Sequence, residues 1–290
     1  MANPMFRRNW SESGSGATAV PDSVQYRAPA PGNSTGVPTA AGYGLPGLAT
    51  EVATPHAMTV GGTCTVAALM LSFVAVGARL GWGKVVLLAD TDAVGREVLR
   101  ASIAQPAWFY GSLVVAVVLS LVAMFKPTTA RILAVPYALA EGVALGIISR
   151  LYEAQFKGIA LQAVLATCGV LLTMLALYGL RILRATPRFV KVVTAATLGI
   201  GAVYLVAFLG NAFFGNDLGI WSSTSGLSIA FTVGAACVAA FNLVIDFDFI
   251  ERGAAERLPK YMEWYGALAL VVTIVWLYIE MLRLLSKLRR

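Results

Sequence analysis

The amino-acid sequence predicts an all-α integral membrane protein with seven transmembrane helices. Hydrophobic residues make up 58% of the 290 residues and charged residues only 13%, which is about half the charged fraction of an ordinary globular domain. The apolar residues form seven separate runs, each close to the roughly 20 residues that a helix needs to cross a bilayer. The lipid bilayer is therefore the expected environment of the chain.

The start of the chain differs in composition from the rest. Residues 1–57 contain seven of the twelve prolines, together with many glycine, serine, threonine and alanine residues. Such a segment has too few large apolar side chains to build a core. We therefore predict two regions: a disordered N-terminal tail over 1–57 and a seven-helix transmembrane domain over 58–290.

Each apolar run is expected to form one helix. The predicted bounds, in chain order, are 58–78, 108–125, 131–150, 159–181, 189–213, 227–249 and 264–285. Most loops are short, so consecutive helices should run antiparallel. The longer loop, 79–107, is different, because four of its charged residues recur at helical spacing and predict a short surface helix. These residues are Asp92, Arg96, Glu97 and Arg100.

The charges between the helices predict how the chain is oriented. The loop after the fourth predicted helix contains four basic residues and no acid, whereas the loop after the fifth contains Asp217 and no base. Basic residues favour the cytoplasmic side, so the N-terminus should be cytoplasmic and the C-terminus external. The basic residues Lys287, Arg289 and Arg290 argue for the opposite orientation. A composition rich in alanine and valine, without an organelle signal, favours a bacterial plasma membrane.

Acidic side chains in the sixth predicted helix mark candidate functional positions, because hydrocarbon strongly disfavours an ionised carboxylate. Asp246 is expected about three residues, or roughly 5 Å, from the cytoplasmic end of this helix. Asn242 lies one turn earlier on the same face. Asp248 points elsewhere and has Arg252 four residues on, so an ion pair explains it. Asp246 is thus the better functional candidate, although an acid that merely ends a helix gives the same pattern.

Glu141 lies near the middle of the third predicted helix, about 15 Å from either membrane face. No basic residue occurs three or four positions away, so its carboxyl group must be protonated, hydrated or paired across helices. Gly142 and Gly146 form a GxxxG motif beside it. This motif allows another helix to approach closely.

Glu280 in the seventh predicted helix has two interpretations. Arg283 follows three residues later, so a local ion pair accounts for the acid as well as an ion pathway does. Thr273 lies seven residues earlier on nearly the same face, where its hydroxyl oxygen can serve as a ligand.

Several classes of function lack the residues that they need. Cys64, Cys168 and Cys237 lie in separate apolar runs without a CxxC motif and are expected to be small buried side chains. The single histidine, His56, precedes the first run, so histidine-dependent catalytic and metal motifs are absent from the predicted helices. Basic residues occur mainly between apolar runs, which disfavours nucleic-acid binding. Neither an enzyme nor a resident cofactor is expected.

Three sequence patterns together resemble the Bax inhibitor-1 family of transmembrane Bax-inhibitor-motif proteins. They are EGVALGIIS in the third helix, IDFDFI in the sixth and LVVTIVWLYIEMLRLL in the seventh. The resemblance covers about 58–290 and excludes the tail. It implies six helices around a central seventh and a pH-sensitive calcium leak through the membrane.

The resemblance also implies a pair of acids that share a proton and hold the pore closed. Asp246 falls where the family has an aspartate on the sixth helix. Thr273 falls where the second aspartate belongs, so this chain departs from the family pattern at that position. Glu280 lies two turns further on and does not replace it.

The positions of the acids suggest a different arrangement, in which Asp246, Glu141 and Glu280 form a ladder across the membrane with Thr273 between them. Oxygen ligands suit Ca²⁺, so Asp246 and Glu141 are candidate contacts for a transported calcium ion. Protons and cations would compete for the same carboxylates, which would make conduction depend on pH.

Two other functions are compatible with the sequence. The protein could regulate a membrane protease or a stress response by binding a membrane protein partner, with the buried acids serving only helix packing. A disordered tail suits that function, since such segments bind partners. The third alternative is a proton-coupled transporter of a small solute.

Overall fold

A computed structural model describes residues 57–91, 97–214 and 225–289, so the predicted tail lies outside the described residues apart from Ala57. Seven helices in these ranges are long and apolar enough to cross a membrane, which confirms the predicted fold class. Their bounds are α1 Val60–Trp82, α2 Pro106–Phe125, α3 Ala130–Gln155, α4 Ile159–Gly179, α5 Pro187–Phe214, α6 Gly226–Ala255 and α7 Met262–Leu288.

The end of α6 differs most from its predicted bound. The helix continues to Ala255 instead of ending near residue 249. The charged residues that suggested an end are accommodated within the helix, because Arg252 Nε contacts Asp248 Oδ2 at 2.9 Å. Asp246 therefore lies about 14 Å from the end of α6 by helical rise. The expectation of an acid close to the end of the helix was wrong.

The described residues between α1 and α2 form the two strands of a β-hairpin, so the predicted surface helix was wrong at Glu97 and Arg100, while Asp92 and Arg96 lie outside the described residues. Strands β1 (Val85–Thr91) and β2 (Glu97–Ile103) pair antiparallel, with Val85 opposite Ile103. Two valines begin the first strand, and β-branched side chains favour extended backbone. Val85 also packs with Val143 and Ile147 of α3. This packing outweighs the helical spacing of the charged residues.

Helices α1 and α3 approach closely through glycine, as the GxxxG motif predicted. A Cβ atom on Gly142 would lie 2.3 Å from the carbonyl oxygen of Val74, and one on Gly146 would lie 2.0 Å from that of Ala78. Gly77 and Gly81 of α1 have equally close backbone neighbours on α3. Small residues on both helices therefore bring the two backbones into contact.

Helix α7 is an interior helix, but α3 is buried at least as deeply. Helix α7 packs against α1, α3, α4 and α6, and α5 reaches it through the side chain of Tyr204. Helix α2 packs mainly against α3. A ring of six helices around one central seventh stays a prediction.

The contact between α1 and α3 can be tested with Gly146→Leu. The added side chain has no space beside Ala78, so we expect the free energy of unfolding to fall by about 1–3 kcal/mol. The matched control is Gly169→Leu in α4, where a Cβ atom would meet nothing within 4 Å. Thermal unfolding in detergent measures both. Equal stability of the two variants would contradict the proposed close packing.

Candidate functional site

The candidate site is a cavity of about 340 Å³ between α2, α5, α6 and α7. It contains Asp246 and Thr273, the two residues that the family resemblance placed at the paired-acid position. Its walls are mainly apolar, with several polar groups and no basic side chain among the lining residues. The lining residues are Ser120, Leu121, Met124, Thr197, Asn242, Asp246, Tyr265, Leu268, Ala269, Val272, Thr273 and Trp276.

Asp246 has a buried carboxylate oxygen without a hydrogen-bond partner. This atom, Oδ2, is the only buried side-chain nitrogen or oxygen left unpartnered among the described residues. An unpaired buried polar atom loses its hydration without compensation. The helical bundle therefore buries this acid without fully compensating its carboxylate oxygens.

The hydrogen-bond donors beside Asp246 leave one of its oxygens without a partner. Asn242 Nδ2 donates to Thr197 Oγ1 at 2.8 Å and to the carbonyl oxygen of Val238 at 2.9 Å. The hydroxyl of Thr273 lies 3.2 Å from the carbonyl oxygen of Ala269 and also interacts with the Asp246 carboxyl group. The site thus brings together Asp246, Asn242 and Thr273 as predicted, and Oδ2 of Asp246 stays without a hydrogen bond.

Glu141 lies elsewhere in the helical bundle. Its half-buried side chain does not line the Asp246 cavity. The hydrogen bond of 2.8 Å between Ser149 and Tyr278 aligns α3 with α7, and Glu141 precedes Ser149 by about two turns. Glu141 is therefore level with the part of α7 near Leu270, which also lies beside Asp246. By this alignment the two acids lie at similar levels, and the ladder of Asp246, Glu141 and Glu280 stays a prediction.

Glu280 forms a fully buried ion pair, as one of its two interpretations predicted. Arg283 Nη1 lies 3.1 Å from Glu280 Oε2 and 3.2 Å from Oε1. The hydroxyl of Tyr204 donates to Oε1 at 2.7 Å, and Trp276 Nε1 donates to the same oxygen at 3.1 Å. Arg283 also donates to the Tyr204 hydroxyl. This network ties α5 to α7.

Trp276 connects the ion pair to the cavity. It lines the cavity that contains Asp246, while its only N–H donates to Glu280. Glu280 itself is not among the residues that line the cavity.

Sequence reasoning missed Glu263, which joins the start of α7 to the start of α1. Its buried Oε1 accepts hydrogen bonds from Thr59 N and Thr59 Oγ1, both at 2.9 Å, and contacts Lys260 Nζ at 2.8 Å. An acid at a helix N-terminus also offsets the positive end of the helix dipole. The only local indication in the sequence was that Lys260 lies three residues before Glu263, a spacing that allows an ion pair.

Sequence reasoning also missed the role of Lys287, which was treated only as a terminal charge. Its buried Nζ donates to Ser228 Oγ at 2.6 Å, Thr232 Oγ1 at 2.8 Å and the carbonyl oxygen of Ser228 at 3.1 Å. These contacts fasten the end of α7 to the start of α6. They join distant parts of the chain, so local spacing could not reveal them.

The predicted calcium contacts do not form a coordinating cluster. Among the described residues, no group of three or more histidine, cysteine, aspartate or glutamate side chains could hold a metal ion. Asp246 and Glu141 do not share a cavity. The three cysteines, Cys64, Cys168 and Cys237, are exposed on the helical bundle, so the expectation that they are buried was wrong. Weakly polar thiols are suited to a surface that faces lipid.

Comparison with known proteins identifies one family. A model described as Bax inhibitor 1 like matches residues 3–290. The match therefore includes nearly all of the tail that the sequence resemblance had excluded. No curated protein and no solved structure matches the chain significantly.

The buried ion pair can be tested with Arg283→Met. Removing the guanidinium leaves Glu280 charged and buried, so the free energy of unfolding should fall by about 3–5 kcal/mol. The control is Arg252→Met, which breaks a more exposed pair and should cost about 0–1 kcal/mol. Chemical unfolding in detergent measures both changes. The double variant Glu280→Leu, Arg283→Met should recover much of the lost free energy of unfolding, because it also removes the acid that Arg283→Met leaves without a partner. If stability is not recovered, the unpaired charge of Glu280 is not the cause of the loss.

Proposed function

This chain belongs to the Bax inhibitor 1 like family, and we propose that it is a pH-sensitive cation leak channel that conducts calcium. The chain is a multi-pass membrane protein with seven helices that can cross a bilayer. We further propose that it resides in a bacterial plasma membrane with its N-terminus in the cytoplasm. The basic loop between α4 and α5 supports this orientation.

The observation that carries the proposal is that Asp246 lines a cavity and has a buried oxygen, Oδ2, without a hydrogen-bond partner. A carboxylate in such a place has two ways to avoid the cost of an isolated buried charge. It can bind a proton, or it can attract water and a cation. Exchange between these two states makes cation passage depend on pH.

The surroundings of Asp246 supply few competing charges. The cavity is lined by no other acidic and no basic side chain. Its hydroxyl groups belong to Ser120 from α2, Thr197 from α5, and Tyr265 and Thr273 from α7, and its other polar side chains are Asn242 and Trp276. Asp246 therefore dominates the electrostatic response of the cavity, and protonation removes its attraction for a cation. We propose that the leak is closed by protonation at low pH and is open when Asp246 is ionised.

Thr273 is the residue at which this chain departs from the family pattern, because the pattern has a second aspartate there. A threonine at this position supplies an oxygen atom without a second ionisable group, so Asp246 would titrate without a coupled acid on α7. A coupled pair gives two macroscopic protonation steps, whereas one isolated acid gives a single step.

We propose that Glu141 has a secondary part in the pathway.

The interaction-protein alternative is supported by the other acids on α6 and α7. Asp248, Glu263 and Glu280 each have a basic partner, and their contacts join or stabilise helices. Packing thus accounts for these three acids without any ion movement. Among the acids of α6 and α7, Asp246 is the one left with an unpartnered buried oxygen, and it favours the leak over the alternative.

The leak is tested by Asp246→Asn in liposomes loaded with a calcium-sensitive dye. In the unmodified protein we expect calcium flux to fall as the pH is lowered from about 8 to about 5, because protonation of Asp246 removes the charge that attracts the cation. Asparagine keeps the size of the side chain but cannot ionise. Its flux should be low and independent of pH.

The matched control is Asp248→Asn, which makes the same chemical change two residues away and should keep the pH response. A pH-dependent flux in Asp246→Asn equal to that of the unmodified protein would contradict the proposal. Removal of residues 1–57 separates the two main alternatives. A leak pathway within α1–α7 should retain its flux after this deletion, whereas a regulator that binds through its tail should lose its effect on the partner.

A further inference from the structure

The cavity around Asp246 opens sideways to the outer surface of the helical bundle. Three of its lining residues are partly exposed: Leu121 by 46% and Met124 by 56% on α2, and Val272 by 38% on α7. Helix α2 packs mainly against α3, and α5 mainly against α6. The opening between α2 and α5 therefore faces the region that lipid chains occupy.

We propose that this cavity binds a lipophilic amine from the membrane. The protonated nitrogen would donate to the carboxylate of Asp246, which lines the cavity and has one buried oxygen without a partner. The alkyl part would lie along Leu121 and Met124 at the opening. A charge-assisted hydrogen bond would thus replace the hydration that Asp246 loses on burial.

The chemistry of the walls selects for a cation. The lining contains one carboxylate and no basic side chain, so an anionic ligand would be repelled. Tyr265 and Trp276 contribute aromatic rings to the same walls, and aromatic faces stabilise ammonium groups. A tightly held metal ion would require about six to eight oxygen ligands in the case of calcium, whereas an ammonium group needs only the carboxylate and its aromatic neighbours.

The size and accessibility of the cavity are compatible with such a ligand. Its volume of about 340 Å³ is within the range of small-molecule sites. The amine would enter from the membrane, and its alkyl part would contact Leu121, Met124 and Val272, the exposed aliphatic side chains at the opening. The ligand site is inferred from the cavity alone and does not require the calcium leak.

The test is equilibrium binding of radiolabelled N,N-dimethyldodecylamine to the full chain in lipid nanodiscs, with empty nanodiscs subtracted. Dodecanol is the neutral probe of equal chain length. We expect saturable binding of the amine that is at least about tenfold tighter than that of the alcohol, because the alcohol cannot form the charge-assisted contact. Asp246→Asn should remove this difference, whereas Asp248→Asn should preserve it.

A second variant separates loss of the site from loss of the fold. Met124→Trp narrows the opening from an exposed position on α2 and leaves Asp246 unchanged, so it should weaken amine binding without lowering thermal stability. Equal binding of amine and alcohol, or amine binding that is unaffected by both Asp246→Asn and Met124→Trp, would overturn the proposal. Amine binding without calcium flux would refute only the leak, and flux without amine binding would refute only the ligand site.

Discussion

The structure depends on the requirement that polar groups in the apolar interior find partners within the protein. Helix α7 meets this requirement at both ends. Glu263 joins its beginning to the start of α1, and Lys287 joins its end to the start of α6. Between them, the Glu280–Arg283 pair holds α5 through Tyr204. These contacts fix the register of the helices, while the glycines between α1 and α3 fix their close approach.

Asp246 is the exception that gives the helical bundle a candidate function. The groups beside it belong to a framework with hydrogen bonds of its own, as the two bonds that Asn242 donates illustrate. The framework can therefore stay folded while the state of one carboxyl group changes. A proton, a passing cation and an amine from the membrane are three ways to compensate the same carboxyl group.

The sequence predicted those features that depend on composition or on local spacing. Seven helices followed from runs of apolar residues, and the Asp248–Arg252 and Glu280–Arg283 pairs followed from spacings of one helical turn. Contacts between distant segments could not be predicted in the same way, because they depend on helix register. Thr59 and Glu263, for example, are separated by 204 positions. The hairpin was missed because charge spacing was given more weight than the β-forming valines of β1.

The central claim is that Asp246 is the acid in the helical bundle that changes its protonation state. Infrared difference spectroscopy of the full chain in lipid, recorded between low and neutral pH, measures this directly through the carbonyl stretch of protonated carboxyl groups. We expect a band that titrates with pH, disappears in Asp246→Asn and remains in Glu280→Gln. A titrating band that is unchanged in Asp246→Asn would contradict this assignment.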